Sequence, residues 1–383
     1  MPQFEQLSNR VLATLKDWVE IESPSHDREA VMRMATRAEA DLLRLGAAIE
    51  RIPGTSGFAD ILLGRLPGKT TGPGILLLGH LDTVHPIGTL AADLPYRVEG
   101  DRAYGPGIYD MKAGNVMALT ALELLKEART EPCLPVTVMF IPDEEMGSPT
   151  SRADIEREAK DHLLTLVVEP SGGGGQLTIA RHGMARYRMV TTGRSAHAGA
   201  YHADGRSAIK EMAHQILAVE SLTDYDRNIS VNVGLLQGGE YENRVPDHCE
   251  ATIYCMVGTT EVEAELRQRL LLLQPRTEGT SVEVIPGLFR PPFAKTTAIQ
   301  AIYDCAKALA ADLPYPVVGE RVAGGGSDGN FTGALGLPTL DGLGAIGGGP
   351  HTLEEHVLIS SLGPRTELLR RLFQTLGPDL AFH

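Results

Sequence analysis

Histidine and carboxylate side chains follow three apolar stretches of this chain, each directly after the stretch ends. The residues are His80 and Asp82 after residues 74–79, Glu144 and Glu145 after residues 136–141, and Glu169 after residues 166–168. If these stretches are neighbouring parallel strands, their carboxyl ends meet at one edge of a sheet, where open α/β proteins bind ligands. We therefore expect side chains that are distant in sequence to lie close together in the fold.

A fourth position, Asp110, lies in a glycine-rich turn before a predicted helix, which directs its carboxylate toward the same edge. Each of these residues alone could be a polar residue at a strand end or in a solvated turn. Together, bordered by glycine and proline, they favour a metal site. Imidazole and carboxylate ligands without thiolates suit zinc, manganese or cobalt, and several carboxylates can hold two ions a few ångströms apart.

A water held between two such ions has a lowered pKa and becomes hydroxide near neutral pH, while the second ion can polarise a carbonyl group. This chemistry predicts hydrolysis of an amide-type bond. Glu144 and Glu145 are adjacent at a strand end and point in different directions, so one can bind metal while the other acts as general base. We expect Asp82 to accept the second N–H of the His80 ring and orient it, rather than bind metal.

The elements that position these residues alternate between helices and strands through the first half of the chain. Apolar residues recur at helical spacing up to residue 19 and again over residues 27–45. Further on, the apolar runs are residues 61–63, 74–78, 134–141 and 163–168, and the helical stretches are residues 112–127 and 151–160. Because several runs are apolar on both faces, the pattern predicts an α/β fold with a largely parallel sheet.

The pattern changes from about residue 181 to half-polar, alternating strands. The predicted strands are residues 185–192, 229–236, 250–257 and 281–285, with helices at residues 205–222 and 261–273. Such alternation is typical of an antiparallel sheet in a small α+β domain. Helices at residues 299–313 and 365–376 then return the chain to the first domain. We therefore assign residues 1–182 and 298–383 to one domain and residues 183–297 to an inserted one.

The composition limits the classes of partner. A chain of 383 residues with 43% hydrophobic residues can form two domains with substantial cores. A formal net charge of −14, without a basic cluster, argues against nucleic acid. The first 21 residues carry several charges, so we expect no signal peptide, membrane span or membrane partner. Cys133, Cys249, Cys255 and Cys305 lack ligand or disulfide spacing, which indicates buried thiols in a cytoplasmic protein.

In this order, the residues resemble the di-zinc peptidase and deacylase family of glutamate carboxypeptidase, succinyl-diaminopimelate desuccinylase, acetylornithine deacetylase and aminoacylase. The similar motifs are GHLDTV at residues 79–84, YGPGIYDMKAG at 104–114, DEEMGS at 143–148, VEP at 168–170 and GPHT at 349–352. The likeness covers essentially the whole chain and is greatest to the glutamate carboxypeptidase branch. It implies a di-zinc exopeptidase-like catalytic domain with an inserted lid and dimerisation domain.

The resemblance implies two divalent metal ions, zinc with manganese or cobalt as alternatives. Their implied ligands are a bridging Asp110, His80 and Glu169 at one ion, and Glu145 and His351 at the other. Glu144 would be the general base, and Asp82 would orient His80. His356 competes for the role of the last histidine. We prefer His351 because the family's histidine lies in the glycine-rich loop before the final acidic stretch.

The resemblance also implies that the lid contributes residues to the substrate site and forms a homodimer. GRSAHAG at residues 193–199 is similar to the lid motif whose histidine, here His197, is donated across the dimer to stabilise the oxyanion. Asn243 resembles a substrate-facing lid residue, and Gly325, Gly326 and Ser327 resemble the loop at the substrate's carboxylate end. Considered without the family, His197 and Asn243 are ordinary residues of polar turns.

One departure from the family concerns the substrate's carboxylate. Many relatives carry an arginine on the lid strand after Asn243, but here apolar Met256 stands at about that position. Arg290 is similar to a second anion-binding arginine of glutamate carboxypeptidase, and Arg244 could also compensate. For both, an arginine that binds no ligand is the alternative. We expect a small substrate with one free carboxylate, without a defined preference for a C-terminal glutamate.

The sequence therefore predicts a metallohydrolase, a carboxypeptidase or amidohydrolase that cleaves an amide bond through a metal-bridging hydroxide and a glutamate base. Alternatives on the same site are an N-acyl amino acid deacylase, a dipeptidase, or a catabolic amide or aromatic-amine hydrolase. A non-catalytic, metal-dependent binding protein is the alternative from another class. Such a protein would not need Glu144 beside Glu145.

Overall fold

Helices and strands alternate along the computed structural model, which describes residues 2–378. Its α-helices are α1 (Pro2–Val19), α2 (Arg28–Leu45), α3 (Thr89–Ala92), α4 (Ala113–Glu127), α5 (Arg152–Ala159), α6 (Ala208–Glu220), α7 (Thr260–Leu271), α8 (Thr297–Leu309), α9 (Gly329–Ala334) and α10 (Ile359–Thr375). Its strands are β1 (Ala48–Ile52), β2 (Ile61–Leu66), β3 (Gly74–His80), β4 (Arg97–Glu99), β5 (Arg102–Tyr104), β6 (Val136–Ile141), β7 (His162–Val167), β8 (Leu177–Arg181), β9 (Gly183–Thr192), β10 (Ala196–His197), β11 (Ser230–Gly238), β12 (Arg244–Val245), β13 (His248–Val257), β14 (Ser281–Arg290), β15 (Glu320–Ala323), β16 (Thr339–Leu340), β17 (Gly347–Gly348) and β18 (His356–Leu358).

The chain divides into two units. The first unit contains the residues up to Ala180, Ala294–Val322 and the residues from Ser327 onward; the second contains Arg181–Phe293 and Ala323–Gly326. The combination of helices and sheets confirms the predicted α/β fold class. The assignment of one unit to catalysis and the other to a lid stays a prediction.

A six-stranded sheet forms the centre of the first unit, in the order β1-β2-β6-β3-β7-β16. Strands β6, β3, β7 and β16 run parallel, whereas β1 and β2 form an antiparallel edge that the sequence did not predict. Every residue of β3 and β6 is buried. Strands covered on both faces need apolar side chains throughout, which explains their continuous apolar runs. The parallel pairing brings the carboxyl ends of β3, β6 and β7 to one edge.

Helix α4 fixes the loop that precedes it, because the helix is buried around most of its circumference. It packs against α1, α2 and α10, and its buried residues include Gly114, Val116 and Leu122. The chain before α4 forms a kinked turn over Ile108–Lys112, in which Asp110 and Met111 have non-helical dihedral angles. This turn carries Asp110 toward the edge at which β3, β6 and β7 end.

A smaller sheet of the first unit has the order β17-β18-β5-β4 and is antiparallel. Its strands are two or three residues long, too short to show a period of two in the sequence. The loop between β17 and β18 carries His351. This sheet therefore positions a side chain whose location the apolar pattern did not predict.

The second unit contains a four-stranded antiparallel sheet in the order β11-β13-β9-β14. Buried and half-buried residues alternate along most of β13, as the sequence pattern predicts. Side chains of α6 and α7 form a core with the buried face of this sheet, including Met212, Leu266 and Ile253. Strand β11 is an edge strand, and its Leu235 and Leu236 are exposed.

All four cysteines are free thiols; Cys249 and Cys255 are buried, and Cys133 and Cys305 are half-buried. Among residues 2–378, no helix combines the length and the apolar character that crossing a bilayer requires.

Candidate metal centre

Five side chains that the sequence singled out lie together at the carboxyl edge of the large sheet. They form two groups of three that could each hold a metal ion: His80, Asp110 and Glu169, and Asp110, Glu145 and His351. His80 ends β3, the turn after β6 carries Glu145, and Glu169 follows β7. All five belong to the first unit. Asp110 is common to both groups.

Each oxygen of the Asp110 carboxylate faces a different histidine. Oδ1 lies 3.1 Å from Nε2 of His80, and Oδ2 lies 3.4 Å from Nε2 of His351. Nε2 of His80 is 3.8 Å from a Glu169 oxygen, and Nε2 of His351 is 3.2 Å from Oε2 of Glu145. A carboxylate placed between two such groups has the geometry of a bridging ligand.

The carboxylates of this cluster are crowded and shielded from water, and their pKa values reflect that environment. Burial, together with the nearby Asp110 carboxylate, raises the pKa of Glu145 to about 7 despite the hydrogen bond from His351. The same two causes hold the pKa of Glu169 well above its ordinary value. For Asp110, burial opposes ionisation, but hydrogen bonds from His351 and His80 lower the pKa. Negative charge concentrated in this way is stabilised by a cation.

A buried carboxylate oxygen supports the same interpretation. Within residues 2–378, Oε1 of Glu145 accepts no hydrogen bond although it is shielded from solvent. A buried polar atom normally has a partner, so an unpaired one in a cluster of metal-type ligands fits a bound ion. The donor set contains imidazole and carboxylate groups without thiolate, which suits zinc, manganese and cobalt. The residues present therefore fit the predicted metal ions.

His80 is held in the orientation that a metal ligand requires. Its Nδ1 donates to the backbone carbonyl of Asp82 at 2.9 Å, and the Asp82 carboxylate lies farther away, at 3.4 Å. The backbone of Asp82, more than its side chain, is therefore the acceptor. With Nδ1 engaged as a donor, Nε2 is the nitrogen available to an ion. Asn115 from α4 also donates to the His80 carbonyl at 2.7 Å.

The Asp82 carboxylate anchors the turn that carries the two glutamates. Its oxygens accept the backbone N–H groups of Glu144 at 3.1 Å and Glu145 at 3.2 Å, and the hydroxyl of Ser25 at 2.6 Å. Glu144 lies on the same turn as Glu145 but in neither group of potential ligands. The structure thus separates the two adjacent glutamates, as the predicted division of roles requires. The roles themselves stay predictions.

The chain around Glu169 is fixed through a glycine and a buried arginine. The N–H of Gly344 donates to the Glu169 carbonyl at 2.9 Å, and Arg365 from α10 donates to the Gly344 carbonyl. A Cβ at Gly344 would lie 2.4 Å from the Val168 carbonyl oxygen, so a larger residue there would displace the segment.

The two candidate histidines near the C-terminus have different surroundings. His351 adopts a left-handed backbone conformation, with φ 62°, and its side chain is 53% exposed, whereas that of His80 is 1% exposed. His356 lies in β18, where Nδ1 is 2.7 Å from the Glu354 carbonyl and the ring packs on Tyr104. His356 belongs to neither ligand group, which supports the preference for His351.

Glu355 contacts the loop of Asp110 and was not predicted from the sequence. It is 1% exposed, and its carboxylate accepts hydrogen bonds from that loop. Its neighbour Glu354 is exposed. The sequence does not indicate which of Glu354 and Glu355 is buried, because their burial depends on how β18 pairs with its neighbouring strands.

The remaining predicted residues lie in the second unit, except Ser327. His197 is exposed, and its Nδ1 accepts the backbone N–H groups of Gly199 and Ala200, each at 3.1 Å. The carbonyl of Asn243 accepts the N–H of Ala198 at 2.8 Å, so Asn243 lies beside the His197 segment.

The predicted anion-binding residues are mostly buried or paired. Arg290 is buried at the end of β14, and Gly325 and Gly326 accept hydrogen bonds from Arg181. Ser327 is buried and donates its hydroxyl to Asp341 at 2.7 Å.

Met256 and Arg244 are the two residues that the sequence raised in connection with a predicted substrate carboxylate. Met256 is half-buried in β13, and Arg244 forms ion pairs with Glu240 and Asp247. Direct contact of any of these side chains with a substrate stays a prediction.

Comparisons with known proteins show similarity over nearly the whole chain. The sequence model of "Peptidase family M20/M25/M40" matches residues 76–375, a range that includes all five side chains of the cluster. The chain is 33% identical over 376 residues to carboxypeptidase G2 of Pseudomonas sp. (strain RS-16), covering 96% of this chain and 89% of that protein. It is 28% identical over 379 residues to a putative succinyl-diaminopimelate desuccinylase of Mycobacterium tuberculosis, covering 92% and 95% of the two chains.

Solved structures share the fold. An M20 family metallo-carboxypeptidase from Sulfolobus solfataricus superposes with a TM-score of 0.74 at 17% identity, covering 96% of this chain and 99% of that chain. A tripeptidase from Staphylococcus aureus superposes with a TM-score of 0.76 at 19% identity, covering 96% and 98%.

Proposed function

The chain belongs to peptidase family M20/M25/M40 and is a metallohydrolase of peptide or amide bonds, and we propose that it cleaves a small carboxylate-bearing substrate with two metal ions. The observation that supports two ions is the placement of Asp110, whose oxygens face His80 and His351 separately. One ion would be held by His80, Asp110 and Glu169, and the other by Asp110, Glu145 and His351.

When bound, the two ions, zinc with manganese or cobalt as alternatives, would lower the pKa of the attacking water and polarise the substrate's carbonyl. Glu144 is the general base in this proposal: its carboxylate accepts the proton of the attacking water and transfers it to the leaving nitrogen. Asp82 supports that role, because its carboxylate holds the backbone N–H of Glu144. Asp82 also orients His80 through its carbonyl.

His197 is proposed to stabilise the oxyanion that forms when the carbonyl is attacked. Its Nδ1 accepts two backbone N–H groups, and a ring nitrogen that accepts hydrogen bonds carries no proton. The proton of the neutral ring is therefore on Nε2, which is the ring's remaining donor. A fixed donor of this kind is what a developing oxyanion requires.

We further propose that the protein is a homodimer that pairs through the second unit, with His197 acting in the partner's site. Strand β11 lies at an edge of its sheet, and an edge strand offers unpaired backbone groups to another chain. Leu235 on this strand is 69% exposed. Leu236 beside it is also exposed, and adjacent apolar side chains exposed on an edge strand fit contact with a second copy.

The substrate is proposed to carry one free carboxylate next to the scissile bond, as a peptide or N-acyl amino acid does. The similarity to carboxypeptidase G2 favours a carboxypeptidase. The similarity to a putative desuccinylase favours a deacylase as the second candidate. Met256 on β13 is apolar and cannot bind the substrate's carboxylate, so a residue elsewhere must do so.

The test is a hydrolysis screen of metal-stripped protein reconstituted separately with zinc, manganese and cobalt. N-acyl amino acids and folyl-glutamates are the substrates, and the released amino acid is quantified by chromatography. We expect metal-dependent release, and the same substrates with a blocked carboxylate should react far more slowly. Protein that binds two ions yet hydrolyses none of these compounds would contradict the proposed substrate class.

A further inference from the structure

The carboxylate of Glu355 is buried beneath the loop that carries Asp110 and has four hydrogen-bond donors around it. Oε1 accepts the backbone N–H groups of Tyr109 at 2.9 Å and Asp110 at 3.0 Å; Oε2 accepts the N–H of Gly107 at 2.9 Å and faces Nε2 of His85 at 2.7 Å. Both oxygens are thus fully engaged. A buried carboxylate with such a set of donors is held in one position.

The backbone explains why these N–H groups need an external acceptor. Gly107 has φ 69°, a left-handed conformation, and the kinked turn that follows has non-helical dihedral angles at Asp110 and Met111. The first N–H groups of a helical turn have no partner within the turn itself. Glu355 supplies that partner for three of them and so determines where the turn lies.

Glu355 also links the two ligand groups through the chain. It lies four residues after His351, in the segment that leads into β18, and β18 pairs with β5 at the start of the Asp110 loop. The segment that carries one histidine therefore anchors the loop that carries the shared carboxylate. A displacement of Glu355 would move Asp110 relative to both histidines.

We propose that Glu355 is the positioning residue for Asp110, and that it sets the affinity of both metal sites together, with His85 holding its carboxylate in place. This inference rests on the proposed two-metal function. Residues that orient metal ligands typically change metal affinity by about 10- to 100-fold when they are replaced. Because Asp110 is common to both groups, the loss should affect both ions rather than one.

The second unit offers a matched control. Glu211 is also buried, and its carboxylate accepts backbone N–H groups of Arg276 and Thr277. It therefore anchors a loop by the same kind of contact, but in a unit whose described residues form no group of potential metal ligands. A variant of Glu211 tests whether loss of a buried loop-anchoring carboxylate alone changes metal binding.

The experiment measures zinc affinity of the metal-free protein by chelator competition, together with the visible spectrum of the cobalt-loaded protein. We expect Glu355→Gln to lower the affinity for both ions by about 10- to 100-fold and to change the cobalt spectrum. Glu145→Gln should lower the affinity for mainly one ion. Glu211→Gln should change neither the affinities nor the spectrum. His85→Ala leaves the three backbone contacts of Glu355 intact, so it should lower the affinity for both ions by a smaller factor. It is the decisive variant if circular dichroism shows Glu355→Gln to be unfolded.

Two outcomes separate the hypotheses. If the unaltered protein binds two ions while Glu355→Gln and His85→Ala bind them with unchanged affinity, the inference about Glu355 is wrong and the proposed function stands. If the unaltered protein binds no ion under any loading condition, the proposed function is wrong.

Discussion

The backbone N–H of Glu144 donates to Oδ1 of Asp82 at 3.1 Å, so the turn after β6 is anchored to the end of β3. The position of Glu144 therefore depends on the same segment that orients His80. Because neither ligand group includes Glu144, its carboxylate can be altered without removing a potential ligand.

Glu144→Gln should retain the metal content of the unaltered protein and lower kcat by about 10²- to 10⁴-fold, because the amide cannot accept a proton. The adjacent Glu145→Gln is the matched control and should lose one ion. Asp110→Ala should lose both. Metal content by elemental analysis and steady-state kinetics provide the comparison, and full activity in Glu144→Gln would remove this residue from the mechanism.

His351→Gly should make the metal-free protein more stable than His351→Ala, although both variants lose a ligand. A left-handed conformation costs an L-residue about 1–2 kcal/mol, and the greater freedom of glycine in the unfolded chain offsets up to about 1 kcal/mol of that gain. We expect a net difference in unfolding free energy of about 0.5–1 kcal/mol, measured by denaturant titration.

His356 provides the control for that comparison, because it lies in the extended strand β18. Here His356→Gly should be less stable than His356→Ala, the opposite order. The same order at both positions would show that the φ of His351 carries no energetic penalty.

His197→Ala should lower kcat by about 10²- to 10³-fold while metal content stays unchanged, because an oxyanion donor acts only as charge develops. The control is His202→Ala, since His202 is exposed in the same segment of the second unit and has no proposed role. Equal kinetics for the two variants would exclude His197 as a donor.

Leu235→Asp should convert a dimer into a monomer, because it places a charge on the exposed edge strand β11. Leu272→Asp changes a comparably exposed leucine of the second unit that lies outside the sheet, and we expect it to leave the dimer intact. Sedimentation equilibrium measures both, and a monomeric unaltered protein would exclude the proposed interface.

Because of Glu211, the free energy of unfolding should depend on pH in the acid range. Burial opposes its ionisation, but hydrogen bonds from Gln215, Arg276 and Thr277 lower its pKa from 4.5 to about 2. The unfolded chain therefore binds a proton before the folded chain does as the pH falls. The stabilising contribution of Glu211 is fully present above about pH 5, declines as the pH falls below about 4.5, and is lost near pH 2.

The stability difference between the unaltered protein and Glu211→Gln tests this. It should be constant from pH 7 to 5 and shrink by about 3 kcal/mol as the pH falls toward 2. Glu242→Gln, at an exposed position of the same unit, should differ from the unaltered protein by less than about 0.5 kcal/mol at neutral pH. A difference for Glu211→Gln that does not vary with pH would contradict the assigned pKa.

The sheet edge that collects His80, Glu145 and Glu169 was predictable from the sequence because β3 and β6 are buried along their length and β7 is buried over its last four residues. Continuous apolar runs identify such strands, and the parallel arrangement places the residues after them side by side. The antiparallel partner β1 was missed, since its residues are half-buried or exposed and show no continuous apolar run.

The supporting contacts were less predictable. The role of Glu355 depends on the pairing of β18 with β5, which joins residues more than 250 positions apart, and no local pattern encodes such a pairing. The nearer acceptor of His80 is likewise a backbone carbonyl of Asp82, although the sequence predicted the side chain. Every residue has a carbonyl, so the identity of Asp82 could not reveal that contact.

If the protein holds an ion at each of His80 and His351, as proposed, their unequal exposure has a practical consequence. Solvent reaches one imidazole and not the other, so chelators and buffer components have a route to the His351 side only. Slow purification in dilute buffer would empty that side first, and folded, half-loaded molecules would accumulate. The specific activity of a sample would then depend on how long it was kept in dilute buffer, and not only on the fraction of molecules that are folded.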